Sequence, residues 1–208
     1  MLTVGKDVRD VEWRLRRGGL RCPSCDGLLA PWGYARRRTV WGAGRVWRFR
    51  PRRSLCQGCG RTHVLMPVNV LWRRRDGVEV IGEVFVRCAA GQGFRAIAVL
   101  VGRPQGTVWG WVRRMRACAE RVRAGFTVVA AGLGADAPAL AAAGSVVADA
   151  VNAVMAVAAA AGRRFPELVA AGVDVWDMAC AVTGGMLLAP PALAWRINTD
   201  RTLATLLG

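Results

Sequence analysis

Four cysteines carry the chemistry that is most legible in this sequence. Cys22 and Cys25 lie in Cys-Pro-Ser-Cys, and Cys56 and Cys59 in Cys-Gln-Gly-Cys, so the pattern is C-x2-C-x30-C-x2-C. Two thiolates on one tight turn can reach the same ion, and four sulfurs at roughly 2.3 Å complete a tetrahedron around zinc. Such a site is closed, with no position left for water or substrate, so one Zn2+ here is expected to be structural. Gly27 and Gly60, just past each pair, suit the turns. The alternative is two thiol pairs free of metal. His63, the only histidine, follows Cys59 by four residues, but four cysteines already complete the set and we read it as a non-ligand. Cys88, Cys118 and Cys180 stand alone on apolar helical stretches and read as buried, inert thiols.

Two knuckles need an element between them that brings them together. Gly42-Ala43-Gly44 can turn a hairpin between strands near Arg37–Trp41 and Arg45–Arg50. Trp47 and Phe49 would share one face, with Arg48 and Arg50 on the other. This is the layout of a zinc ribbon, in which the metal supplies much of the folding free energy of a sheet too small to hold itself. Eight arginines fall within residues 36–53, and we read them, Arg48 and Arg50 among them, as tracking a phosphate backbone. Trp32, Trp41 and Trp47 are able to stack on bases, but filling a meagre core is the preferred reading.

The charge supports a polyanionic partner. Residues 1–126 hold 26 basic and 8 acidic side chains, a surplus of 18, whereas residues 127–208 hold 4 and 6, a deficit of 2. Codon bias explains why Lys6 is the only lysine, but not why acids are so scarce in the first part. A localised positive field attracts a polyanion such as nucleic acid, or an anionic membrane surface. No apolar signal core opens the chain, so a cytoplasmic protein is expected, where cysteines bind metal or stay reduced. The longest uncharged stretch, Met178 to Trp195, is broken by Gly184-Gly185 and Pro190-Pro191, and the Ala-rich run before it by Asp136 and Asp149. Neither reads as a membrane span.

Four segments follow: an N-terminal helix (1–19), the ribbon (20–67), a helical unit (68–126) and an Ala/Val-rich helical region (127–208). Pro67 and Arg73-Arg74-Arg75 mark the boundary after the ribbon. The expected fold class is α+β. Residues 7–17 fit a short helix with Asp7 as N-cap and Val8, Val11 and Leu15 on one face. In the helical unit, Phe94, Ile97, Ala98 and Val101 form the inner face of one helix, Gly102 stops it, and Pro104 suits the first turn of the next. Val108, Trp111, Val112 and Met115 would be buried. This is a helix-turn-helix pattern, with Val78, Ile81, Val84 and Phe85 supplying an earlier helix beneath.

The outward positions are then Gln105, Gly106, Thr107, Trp109, Gly110, Arg113 and Arg114. Gln105 suits a base edge, Thr107 a thymine methyl or a phosphate, and Arg113 and Arg114 phosphates. Trp109, Val99 and Leu100 do not suit a free surface and are expected to pack on the ribbon or the C-terminal region. The bland alternative is a structural helical hairpin, with the ribbon left to bind RNA or dock a protein.

The order of a Cys-Pro-x-Cys…Cys-x-x-Cys-Gly ribbon, the CGRTHVLMP exit at 59–67 and an IA-x-x-VGRP-x-x-TV-x-x-WVRR segment resembles an uncharacterised actinobacterial family. Its members are usually described as helix-turn-helix proteins and often lie near transposon or integrase genes. More distantly, the order is similar to N-terminal proteins of insertion-sequence transposases. The resemblance covers residues 10–125 and the tail near GGMLLAPPALAW. It implies metal ligands at Cys22, Cys25, Cys56 and Cys59, DNA contacts within 104–114, a place at the bacterial nucleoid, and a transposase or integrase as partner.

No enzyme is expected. A triad chemistry needs three carboxylates gathered around two metal ions. The acids of the basic part (Asp7, Asp10, Glu12, Asp26, Asp76, Glu79, Glu83, Glu120) follow no such order, and Asp136, Asp149, Glu167, Asp174, Asp177 and Asp200 scatter over the tail. Tyr34, the only tyrosine, lies inside the ribbon, which does not suit a recombinase nucleophile. In the tail, Val147, Val151, Val154 and Ala158 repeat at helical spacing. That face closes the protein's own core or pairs two subunits of a homodimer.

Overall fold

A computed structural model describes residues 1–134 and 142–190. Asp136, Pro138, Pro191, Trp195 and Asp200 lie outside the described residues. The chain is mixed α and β, as the segment pattern requires, and the cysteine cluster sits in its strand-rich part. In chain order the elements are β1 (Leu2–Val4), α1 (Val8–Arg16), β2 (Leu29–Tyr34), β3 (Arg38–Trp41), β4 (Val46–Phe49), β5 (Arg52–Cys56), β6 (Thr62–Pro67), α2 (Val78–Ala89), α3 (Phe94–Val101), α4 (Gln105–Gly132), α5 (Val146–Arg164), α6 (Pro166–Ala170) and α7 (Val175–Val182).

Two sheets share the first third. One has the order β1-β6-β5-β2 and the other is the hairpin β3-β4. β1 runs parallel to β6, pairing Leu2 with Leu65 and Val4 with Pro67. The sequence gives little warning of this strand, because three residues show no period. Its consequence is that the N-terminal segment is part of the ribbon sheet. Asp7 caps α1 as expected, accepting from the backbone N–H groups of Arg9 and Asp10 at 2.7 and 3.4 Å. Val11 and Leu15 face inward, but Val8 is 74% exposed. The inward face joins Val4, Leu20, Leu29 and Leu65 in a small core that also holds Cys22 and Cys56.

The hairpin forms as its alternation predicts. Trp41 pairs with Val46 and Arg38 with Phe49. Trp47 and Phe49 pack on Val40, Met66 and Val70, while Arg48 points to solvent.

The helices form a second, larger core. The buried faces of α2 (Ile81, Val84, Phe85), α3 (Ile97, Ala98), α4 and α5 meet there. Val108, Trp111, Val112 and Met115 are all buried, and the same stripe continues through Val122, Phe126 and Val129. α4 is therefore one helix of 28 residues, about 42 Å long at 1.5 Å per residue. The boundary drawn at residue 126 falls inside it, because the buried stripe does not stop there. Val147, Val151 and Val154 face this core, so the α5 face closes the protein's own interior. α5 is long and apolar enough to cross a membrane by composition, but over half of that window is buried in the fold.

Contacts made by α7 help to tie the parts together. Lys6 Nζ lies 2.7 Å from Asp177 Oδ2 and donates to Gly172 O at 3.1 Å, linking the loop after β1 to the start of α7. Burial pushes the Asp177 carboxyl up, against the pull of Lys6. Gly82 of α2 lets Trp176 of α7 lie on the helix backbone. A Cβ at Gly82 would clash with three atoms of the Trp176 ring, and that ring packs edge-on against Phe85 at 5.9 Å. Overpacking of this kind costs about 1–3 kcal/mol. Gly82→Ala should lower the urea midpoint accordingly, and an unchanged midpoint would show that the Trp176 ring moves freely.

Candidate metal centre and nucleic-acid interface

The two knuckles are built by one turn used twice. Asp26 N–H donates to Cys22 O at 2.9 Å, and Gly60 N–H to Cys56 O at 3.0 Å. The residue after the second cysteine takes positive φ in both, +62° at Asp26 and +67° at Gly60. Asp is among the few non-glycine residues that tolerate this region. Gly27 therefore does a different job from the one expected of it. A Cβ there would sit 3.1 Å from Cys56 Sγ and 3.2 Å from Gly58 N, so its missing side chain is what lets the knuckles meet.

The sheet completes the approach. β2 leaves the first knuckle and pairs antiparallel with β5, which enters the second, so that Leu29 lies opposite Cys56. The four sulfurs come within 4.8 Å of one another, with Cys22 and Cys59 3.8 Å apart and Cys25 and Cys56 3.4 Å apart. The edge of a tetrahedron with bonds near 2.3 Å is about 3.8 Å, so the donor set fits one metal ion. Cys22 and Cys56 are buried in the small core, and Cys25 and Cys59 are exposed.

The thiols are unequal. Backbone N–H donation, foremost from Cys59, pulls Cys56 down to about 6. Gly27 N–H donation favours the Cys25 thiolate, but the sulfurs of Cys56 and Cys59 outweigh it and push Cys25 up to about 12. Neighbouring thiolates resist joint ionisation, and a bound cation removes that resistance. His63 is 6% exposed, with Nε2 3.4 Å from Cys22 Sγ. It stands beside the cluster as a hydrogen-bond partner of a ligand sulfur, a role its spacing did not reveal.

The DNA-contact candidates lie on two elements. Gly102 ends α3 in the left-handed conformation at φ +63°, and Pro104 precedes the first turn of α4. Gln105, Trp109 and Arg113 are exposed and Thr107 is half-buried. The Arg113 guanidinium stacks on the Trp109 ring at 5.1 Å. Arg114 is half-buried and turns back to donate to Gly110 O at 2.8 Å. Gly110 itself is buried and does not face outward as expected. Val99, Leu100 and Trp109 are 78%, 59% and 47% exposed, so neither the ribbon nor the described C-terminal helices cover them.

Arg48 and Arg50 lie on and just past β4, away from α4 in the chain, and both are exposed. The hairpin is nevertheless fixed to the helical pair by a residue the sequence did not single out. Arg103, in the turn before α4, donates to Asp76 Oδ1 at 2.5 Å and to the carbonyls of Trp41 and Gly42 at 3.1 Å each.

The tryptophan reading needs correction. Trp32 is 54% exposed and Trp41 38%, and only Trp47 is packed as a core residue. The cause at Trp32 is a bulge: Pro31 pairs with Ser54 and Gly33 with Arg53, leaving Trp32 unpaired and turned out. Tyr34, 51% exposed, follows on the same strand with Arg50 and Arg52 stacked over its ring.

Among the described residues the four cysteines are the one group of three or more ligand-type side chains close enough to hold an ion. The acids are engaged elsewhere: Glu12 with Arg16 and Arg52, Glu83 with Arg87, Glu120 with Arg123, and Asp174 and Asp177 in a capping box.

Compared with family models, curated proteins and solved structures, the chain matches none.

The cluster geometry makes a sharp contrast testable. Gly27→Ala should speed metal loss to a chromophoric chelator, because its methyl presses on Cys56 Sγ. Gly58→Ala should not, since its Cβ meets Cys25 Sγ at an ordinary 3.5 Å. His63→Ala should weaken metal binding by about 10–100-fold, the usual effect of losing an outer-shell partner. Equal retention in all three would mean that the sulfurs do not share an ion.

Proposed function

We propose that this chain is a zinc-stabilised protein that binds double-stranded DNA through a helix-turn-helix formed by α3 and α4. The observation that carries the reading is the exposed row Gln105, Trp109 and Arg113 on the first turns of α4, beside a turn braced by Arg103. Recognition helices present their N-terminal residues to base edges in the major groove. Gln105 is the base-edge candidate, Thr107 reaches a methyl or phosphate, and Arg113 a phosphate. Arg114 joins them only if it leaves Gly110 O. Zinc is the metal best suited to four thiolates in a closed tetrahedron.

The surplus of 18 positive charges in residues 1–126 supports a polyanionic partner. Arg48 and Arg50 extend the contact along the backbone, held in register with α4 by the Arg103 clamp. The acids' engagement in ion pairs and caps favours a binding protein over an enzyme. The resemblance to proteins encoded near transposons suggests a regulator or accessory recognition factor of a mobile element in the bacterial cytoplasm. A transposase or integrase, or a second copy of this chain, is then the partner. The exposed Trp32 and Tyr34 favour a second reading, in which the ribbon binds RNA or another unpaired strand and the helical pair is scaffold.

Titration of the metal-loaded chain on random duplex and single-stranded DNA at two salt concentrations separates these readings. Duplex binding through 6–10 phosphates should weaken by about 10³–10⁵ between 50 and 200 mM salt. Arg113→Ala should reduce the salt slope by about one, and Gln105→Ala should cut sequence preference more than overall affinity. Preference for single strands, with no effect of either substitution, would assign binding to the ribbon.

A further inference from the structure

The ribbon contains a cavity that shares only Arg50 with the duplex-binding reading. It opens between α1, the β1–β6 edge and the β3-β4 hairpin, with a volume of about 610 Å³. A site of this size is ample for a small ligand. Val11 and Leu65 belong to its apolar wall, Trp47 and Phe49 line it from the hairpin, and Tyr34 stands in its lining.

Three features restrict what fits. The aromatic side chains offer stacking surfaces for a flat ring. Arg45, stacked on Trp47 at 5.2 Å, and Arg50, stacked on Tyr34 at 5.5 Å, line the cavity with no carboxylate partner among the described residues. The one acid in the lining, Glu12, is already paired with Arg16 and Arg52. The complement is a planar ring attached to an anion. A lipid and a sugar phosphate both lack the flat ring.

We propose that this cavity binds a nucleobase bearing a phosphate, with the base against Trp47 and Phe49 and the phosphate met by Arg45 and Arg50. The base comes from an unpaired position in a strand or from a free mononucleotide. The site does not rest on the helix-turn-helix reading, since no α4 residue lines it.

Photocrosslinking of the full, metal-loaded chain tests it. The probes are a single strand carrying one 4-thiothymine, the same strand in duplex, and AMP as competitor. The expected crosslinks from the single strand fall in peptides containing Tyr34 or Trp47 to Phe49. Phe49→Leu keeps an apolar side chain but removes the ring, and Arg45→Ala removes one cation. Each should weaken single-strand affinity by about tenfold, with metal content and the circular dichroism spectrum unchanged. Competition by AMP assigns the site to free nucleotides, and crosslinking without competition assigns it to a strand; both support the proposal. Crosslinks confined to α4, or none, with affinity unchanged in both variants, would overturn it. Arg113→Ala should leave these crosslinks intact while weakening duplex binding, so each reading can fail alone.

Discussion

Four thiol sulfurs held within 4.8 Å of one another do not all ionise unless a cation stands among them. The rest of the first third of the chain is arranged around that constraint. The core beneath the cluster is small, and two of its members are Cys22 and Cys56 themselves. Hydrophobic burial of that extent leaves two knuckles and a four-stranded sheet with little to hold them, and a metal bound by the four sulfurs would contribute to their folding. Gly27 shows the constraint in steric form, since one methyl would meet both a sulfur and the opposing backbone. The backbone donors at Cys59 and Gly27 show it in electrostatic form. Donation wins at Cys56, which is pulled down, but at Cys25 the neighbouring sulfurs outweigh it and push the thiol up.

A rigid ribbon matters to the helices only if it is joined to them, and the joint is polar. Arg103 gathers Asp76 and the carbonyls of Trp41 and Gly42 from three directions in sequence. A guanidinium has five donors in a fixed plane, which suits it to hold several acceptors at set angles. Backbone bonds run alongside: Trp41 N–H donates to Arg75 O at 2.8 Å and Gly77 N–H to Trp41 O at 2.9 Å. The hairpin is therefore fastened to the turn before α4 through Arg103 and to the segment before α2 through its backbone. A motif written Gly-Arg-Pro looks like a turn with a charged side chain. Its glycine and proline shape the turn, and its arginine fastens that turn to another element.

What was legible in the sequence follows from how local each cause is. The knuckles, the hairpin, the Asp7 cap and the buried faces of α3 and α4 each depend on residues within one turn or one strand, and period and spacing reveal them. β1 was not legible, because its pairing with β6 is made with residues more than sixty positions away. The exposure of Trp32 depends on a bulge, which only the register with β5 defines. Gly110 looked outward on a helical wheel, yet the Arg114 side chain folds over it. The end of the helical unit was misplaced at 126 because the Ala-rich composition beyond it resembles a new segment, although the buried stripe of α4 continues through Val129. His63 was legible as a residue near the cluster but not as a partner of Cys22, because that contact spans two strands of the sheet.

The exposed aromatics and the excess of arginine have one physical account. Arg17 lies over Trp13 at 5.0 Å, Arg52 over Tyr34 at 4.6 Å, Arg73 over Trp72 at 4.3 Å and Arg113 over Trp109 at 5.1 Å. A guanidinium stacked on a ring is attracted to its negative face and shields part of its apolar surface from water. Stacking also leaves the N–H groups at the guanidinium edge free to donate, and it fixes the plane in which they do so. Lysine, a compact and strongly hydrated point charge, supplies neither the flat cover nor the oriented donors. Arginine over lysine, whatever its origin in codon usage, therefore lets this surface carry aromatic rings and a large positive charge on the same residues. Phosphates and bases are the ligands that offer a partner to both at once.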